Sequence, residues 1–246
     1  MAPQVSVDTQ SEPGKGCPFP GSPDRVHLFQ CLDILENKWK QESEPAMRFD
    51  DEPLDSLVRT VLSQNTNDVN RDRAYENLRK NYPDWKDVLN AETQDIAKAI
   101  KSAGLSNTKA GRIRQILGTV KETFGDLSLE KMKKWENSEA RRFLQNLPGV
   151  GPKTAACVLL FDLHRPAFPV DTHVARVSRR IGWVSSRATP EDIQTCLEAW
   201  IPPDRYLGAH LNLIFHGRNI CRARKPECLQ CPLKELCLTG KEKLKS

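Results

Sequence analysis

Apolar residues recur three and four positions apart along almost the whole chain after Val26, and that spacing admits helices and little else. Leu28, Leu32, Leu35 and Trp39 fall on one helical face, and so do Leu54, Leu57, Val61 and Leu62. Further helices are expected over 67–81, 93–103, 108–124, 128–135, 138–147, 153–161, 172–181, 190–200 and 206–220. Turn signals such as Tyr82-Pro83-Asp84 and Gly125-Asp126 separate them. No segment alternates as a strand would, and no repeat of fixed period is present. The expected fold class is all-α, with short connections between about ten helices. Residues 1–24, rich in Pro, Gly and Ser and without periodicity, are expected to be a disordered tail.

With 246 residues the chain is long enough for one large domain or two small ones. The longest apolar run, Ala155–Leu163, is interrupted by Asp162 and is far shorter than the ~18 residues a membrane span needs. A membrane protein is not expected. The start of the chain lacks an apolar signal core, and Asp8 and Glu12 suit a transit peptide badly. Lys and Arg number 37 against 32 Asp and Glu, a formal charge of +5. From Pro203 to Ser246 there are nine basic residues against four acidic ones, so the excess is concentrated in that segment. Such a patch favours a polyanion, and it equally suits a solvated tail.

Four of the eight cysteines crowd one 17-residue stretch: Cys221, Cys228, Cys231 and Cys237. With no export signal in view, the clustering reads as metal binding in a reducing compartment. Soft tetrahedral sulfur sites suit zinc or an iron–sulfur cluster. The other four (Cys17, Cys31, Cys157 and Cys196) are scattered and read as ordinary small or buried residues.

Leu147-Pro148-Gly149-Val150-Gly151-Pro152-Lys153 joins two helical segments. Gly149 and Gly151 are free to adopt conformations closed to other residues and leave backbone N–H groups uncovered. Pro152 suits a first helical turn. A tight hairpin of Gly149, Val150 and Gly151 at a positive helix end is able to hold a phosphate oxygen, and a bare connector would look the same. Lys153 falls in the first turn of the following helix, where the helix dipole, and any desolvation, disfavour the ammonium form. A neutral amine there is a nucleophile able to form a Schiff base with a sugar carbon. Asp171, in Val170-Asp171-Thr172-His173, stands at a helix start as an N-cap. A carboxylate pinned in that way is also suited to steadying a developing cation and moving protons.

Residues 147–155 followed by 170–173, the segment Ile100–Ala110 and the terminal cysteine pattern together resemble the helix–hairpin–helix DNA glycosylases, in their endonuclease III branch. The resemblance spans about residues 26–237. It implies that Lys153 attacks C1′ of a damaged nucleotide and that Asp171 assists base departure and later proton transfers. A Lys at this position implies strand nicking by β-elimination as well. The target base leaves the duplex, and Leu105 is implied as the apolar wedge that fills the gap. A polar partner comes from Ser63-Gln64-Asn65-Thr66, where the family pattern leaves Gln64 and Asn65 as alternatives. The 6-2-5 cysteine spacing matches the family's [4Fe-4S] loop, which would hold Arg222, Arg224 and Lys225 against the DNA backbone. Segments 64–65, 167–172 and 182–184 also resemble the plant 5-methylcytosine glycosylases.

The resemblance implies two lobes: a helical barrel over 45–165 holding the hairpin, and a second lobe of 25–44 with 166–246 and the cluster. The cleft between them would contain the active site, with Lys153 from one lobe and Asp171 from the other. The expected partner is double-stranded DNA carrying a damaged base, first an oxidised pyrimidine, or an abasic site. 5-Methylcytosine, mismatched thymine, a non-catalytic DNA-structure binder and a zinc-stabilised interaction module are the alternatives. A monomer is expected, in the nucleus, with an organelle or a bacterial cytoplasm equally compatible with the residues. His173 is expected to pack on its helix, His27 to be isolated, and 241–245 to stay solvated.

Overall fold

The computed structural model describes residues 25–43 and 52–245; the tail expected over 1–24 lies outside them. Twelve α-helices run through the described residues, which contain no β-strand. The chain divides at Pro169–Val170 into two compact units.

Within the described residues, the first unit in space comprises 52–169. It holds α2 (Pro53–Ser63), α3 (Asp68–Asn81), α4 (Trp85–Asn90), α5 (Thr93–Ala99), α6 (Ser106–Phe124), α7 (Asn137–Asn146) and α8 (Pro152–Cys157). Its core is built from the predicted faces: Leu54, Leu57, Val61 and Leu62 of α2 meet Ile113, Ile116 and Leu117 of α6, all fully buried. Residues 166–169 go with this unit, where Ala167 is packed in the core.

Three local expectations are corrected. Helix 93–103 is two pieces, α5 and a 3₁₀ turn at Lys101–Ala103 that ends on Gly104. The expected helix over 128–135 is only a 3₁₀ turn, Glu130–Lys134. Its apolar residues Leu129, Met132 and Trp135 are spaced by three, the period of a 3₁₀ helix. They seat Trp135 against Phe124 and Phe143, with ring centroids 5.1 and 5.5 Å away. The expected helix 153–161 stops at Cys157 and widens into a π-helical turn, Val158–Asp162, closed by Leu163 N–H donating to the Val158 carbonyl at 3.0 Å.

The second unit consists of α1 (Arg25–Ser43) with α9 (Thr172–Ile181), α10 (Pro190–Trp200), α11 (Tyr206–Asn219) and α12 (Leu238–Lys245). Leu28, Leu32, Leu35 and Trp39 of α1 are buried as their spacing requires. Thr189 starts α10 with a reciprocal capping box to Asp192. Helices α4 and α12 were not expected. Each has eight residues or fewer, too few to show a period, though 241–244 are exposed as anticipated. No helix among the described residues is long and apolar enough to cross a membrane.

Candidate active site and cysteine loop

The hairpin folds as the glycines require. Gly149 has φ +77°, the left-handed region, and a Cβ there would sit 2.7 Å from Arg112 Cδ. The positive φ favours glycine, and any larger residue would also have to displace the Arg112 side chain. Gly151 departs from the expectation: its φ of −85° is open to any residue, and nothing lies within 4 Å of an added Cβ. It serves as N-cap of α8 without a side chain, which leaves the amides at the helix start uncovered. Pro152 occupies the first helical position.

Lys153 follows in the first turn of α8 and is exposed. Lys153 borders an open pocket whose other walls include Ser63, Arg59, Thr60, Cys157 and the buried Asp162. Positive charge from Arg59 and Arg71 faces the same pocket.

Two turns of this unit carry the other expected DNA-facing residues. Gln64 donates from Nε2 to the Gly149 carbonyl at 2.8 Å, and its Oε1 accepts from Arg112 at 3.1 Å. Asn65, next in the chain, is exposed and has φ 54°. The pair is thereby distinguished: Gln64 is engaged by the hairpin, whereas Asn65 projects. Leu105 projects likewise, 63% exposed with φ 48°, just after Gly104 at φ 67°. A large apolar side chain held in a left-handed backbone and in water is costly twice over.

Asp171 belongs to the other unit and caps α9 as expected, its Oδ1 accepting from Val174 N–H at 2.7 Å. His173 packs on α11, where a Cβ on Gly217 would come within 2.9 Å of its own Cβ. Arg176 donates to Nδ1 of His173 at 3.1 Å and to the Gly217 carbonyl at 2.9 Å.

The four clustered cysteines line one small cavity, together with Val177 and Ile181 of α9. Burial pushes the Cys231 thiol up to about 11 and raises Cys237, with the neighbouring cysteine charges adding to the effect. Four such thiolates close together need a cationic centre. Four soft sulfur donors around one cavity suit an iron–sulfur cluster or a zinc ion.

Sequence reasoning missed three residues that hold this loop. Arg180, which carries no motif of its own, donates to the Arg222 carbonyl at 2.7 Å, the Ala223 carbonyl at 3.0 Å and Cys221 Sγ at 3.4 Å. His216 is buried with Nε2 3.6 Å from Cys231 Sγ, and burial lowers its pKa to about 4. His27 is not isolated: its Nε2 lies 2.9 Å from the Leu236 carbonyl. No local pattern signals these contacts, which join distant parts of the chain. Arg222, Arg224 and Lys225 are exposed, and Arg222 is paired with Glu227 at 2.7 Å.

Residues 58–203 match the family model described as the HhH-GPD superfamily base excision DNA repair protein. The chain belongs to this superfamily. Within it, residues 221–237 match the iron–sulfur binding domain of endonuclease III, so the cofactor is a [4Fe-4S] cluster. Cys221, Cys228, Cys231 and Cys237 would hold it. The chain is 36% identical to Endonuclease III of Thermotoga maritima over 186 residues, covering 76% of this chain and 83% of that protein. It is 33% identical over 171 residues to DNA glycosylase/AP lyase ROS1 of Arabidopsis thaliana, which amounts to 63% of this chain and 12% of ROS1. Among solved structures it is similar to endonuclease III in a non-covalent DNA complex. The TM-score is 0.78 at 27% identity, over 91% of this chain and 100% of that one.

Proposed function

We propose that this superfamily member is a bifunctional DNA glycosylase and AP lyase that acts as a monomer on oxidised pyrimidines in duplex DNA. The observation that carries the reading is Lys153, an exposed primary amine in the first turn of α8. It stands between the open amides of the hairpin and a pocket lined by Arg59, Ser63 and Asp162.

The hairpin amides receive a backbone phosphate at the positive end of α8. Asn65 and Leu105 enter the space that the displaced base leaves. The Lys153 amine, once desolvated by the bound DNA, attacks C1′. The bond from C1′ to the base breaks, and the base departs with that electron pair and a proton. Asp171, fixed by its cap bond to Val174, balances the positive charge that develops on the sugar and relays protons. The C1′–O4′ bond of the resulting aminal then breaks, with O4′ taking the electron pair and a proton relayed by Asp171, and leaves an open-chain iminium; this loses a proton from C2′, and the C3′–oxygen bond breaks, releasing the phosphate on the 3′ side. Water then hydrolyses the imine and returns Lys153 to its amine. Held by Cys221, Cys228, Cys231 and Cys237, the cluster would supply structure, keeping the basic segment 222–225 rigid for the phosphate backbone.

The test is a set of 5′-labelled duplexes carrying thymine glycol, 5-methylcytosine, a T·G mismatch or an abasic site. Direct nicking at thymine glycol and at the abasic site supports the proposal. Nicking at 5-methylcytosine or T·G in preference to thymine glycol overturns the substrate class. Binding without cleavage of any duplex overturns the enzymatic reading.

A further inference from the structure

Lys109 is among the largest side chains buried among the described residues, 1% exposed, and neither the chemistry nor the DNA contacts described above use it. Its ammonium has three protons and three acceptors. Nζ donates to the Leu62 carbonyl at 2.8 Å, the Ala103 carbonyl at 2.8 Å and Thr66 Oγ1 at 3.2 Å. The Thr66 hydroxyl in turn donates to the Ala103 carbonyl, so the two loops are tied twice. Burial, with Arg112 nearby, lowers the Lys109 pKa below that of an ordinary lysine.

The two carbonyls are specific in their location. Leu62 lies in the last turn of α2, three residues before Asn65, and Ala103 lies two residues before Leu105. Lys109 itself sits one turn into α6, and its own N–H donates to the Leu105 carbonyl at 3.0 Å. One buried cation therefore meets both loops from which the two left-handed, exposed residues project. A buried ammonium keeps its charge only while its protons are bonded, so the contact resists any separation of the loops.

We infer that Lys109 is a positioning residue for base displacement: it fixes the spacing and the strained backbone of Asn65 and Leu105 so that both enter the base stack together. The inference rests on the function proposed above. It predicts a division between substrates. Excision of a base from duplex DNA needs both projecting residues in place, whereas β-elimination at an abasic site in single-stranded DNA leaves no gap to fill.

The experiment uses the full-length holoprotein and Lys109→Met, which keeps the chain length and removes the donors. Single-turnover excision on a thymine glycol duplex is measured beside β-elimination on a single-stranded abasic oligonucleotide. 2-Aminopurine fluorescence next to the lesion reports base displacement. The expected result for Lys109→Met is a loss of about tenfold or more in duplex excision and in the fluorescence change, with single-strand elimination within about twofold of wild type. In an Asn65→Gly/Leu105→Gly background, the same substitution is expected to cost little more. Should Lys109→Met fail to fold, Thr66→Val removes one member of the same network and is expected to show the same division at about threefold. Equal losses on both substrates, no loss on either, or an undiminished loss in the double-glycine background overturns the inference. Wild-type protein inactive on both substrates overturns the functional reading and the inference with it, a result distinct from the other three.

Discussion

Gln64 spans from the end of α2 to the hairpin, its Nε2 2.8 Å from the Gly149 carbonyl, whereas its neighbour Asn65 is exposed. Gln64→Ala removes the bonds to Gly149 and Arg112, each worth about 0.5–1.5 kcal/mol. Duplex affinity is expected to fall several-fold because the hairpin loosens. Asn65→Gly keeps the left-handed backbone and removes only the projecting amide, so affinity for an abasic duplex is expected to stay near wild type while base excision slows. Fluorescence anisotropy alongside single-turnover excision checks both outcomes.

The two hairpin glycines are expected to respond differently to alanine. Gly149→Ala combines a positive φ with a Cβ 2.7 Å from Arg112 Cδ. It should lower stability by about 1–2 kcal/mol, read as a fall in melting temperature, and weaken DNA binding. Gly151→Ala meets open space at an ordinary φ and should leave the melting temperature unchanged. If the Gly151 surface approaches a phosphate, its methyl group should still reduce affinity.

Asp171 has a structural role and a proposed chemical one that substitutions can separate. Asparagine is as good an N-cap as aspartate, whereas alanine costs about 1 kcal/mol at such a position. Asp171→Asn is therefore expected to keep the melting temperature and lose base excision. Asp171→Ala should lose excision and also melt earlier. Calorimetry with a glycosylase assay separates the two, and full excision by Asp171→Asn would contradict the role of its charge.

Basic residues of the cysteine loop are not equivalent. Arg222 is committed to Glu227 at 2.7 Å, whereas Arg224 is exposed. Arg224→Ala is expected to weaken binding to all duplexes alike and to reduce the slope of log affinity against log salt by about one. Arg222→Ala should change that slope less. Titrations at several salt concentrations measure both.

Much of the fold and site is legible in the sequence because its signals are local. Helical faces such as Leu54, Leu57, Val61 and Leu62 declare themselves by spacing, and Pro152 and Asp171 mark helix starts by rules confined to one turn. The short helix α4 has too few residues to show a period, and the 3₁₀ turn at Glu130–Lys134 was mistaken for α although its apolar residues are spaced by three. Lys109, Arg180 and His27 stayed hidden for a different reason. Each acts through a carbonyl far away in sequence, and a lysine that will be buried looks in sequence like one that will be solvated. The exposure of Lys153 was likewise not legible, since it depends on what packs around α8.

The central claim is that the Lys153 amine becomes covalently joined to the sugar. Borohydride trapping on a duplex with one thymine glycol, beside an abasic duplex and a Lys153→Ala control, tests it directly. The account predicts a stable protein–DNA adduct on both duplexes that disappears in the control. An adduct that persists in Lys153→Ala, or none from wild-type holoprotein that still binds both duplexes, would contradict it.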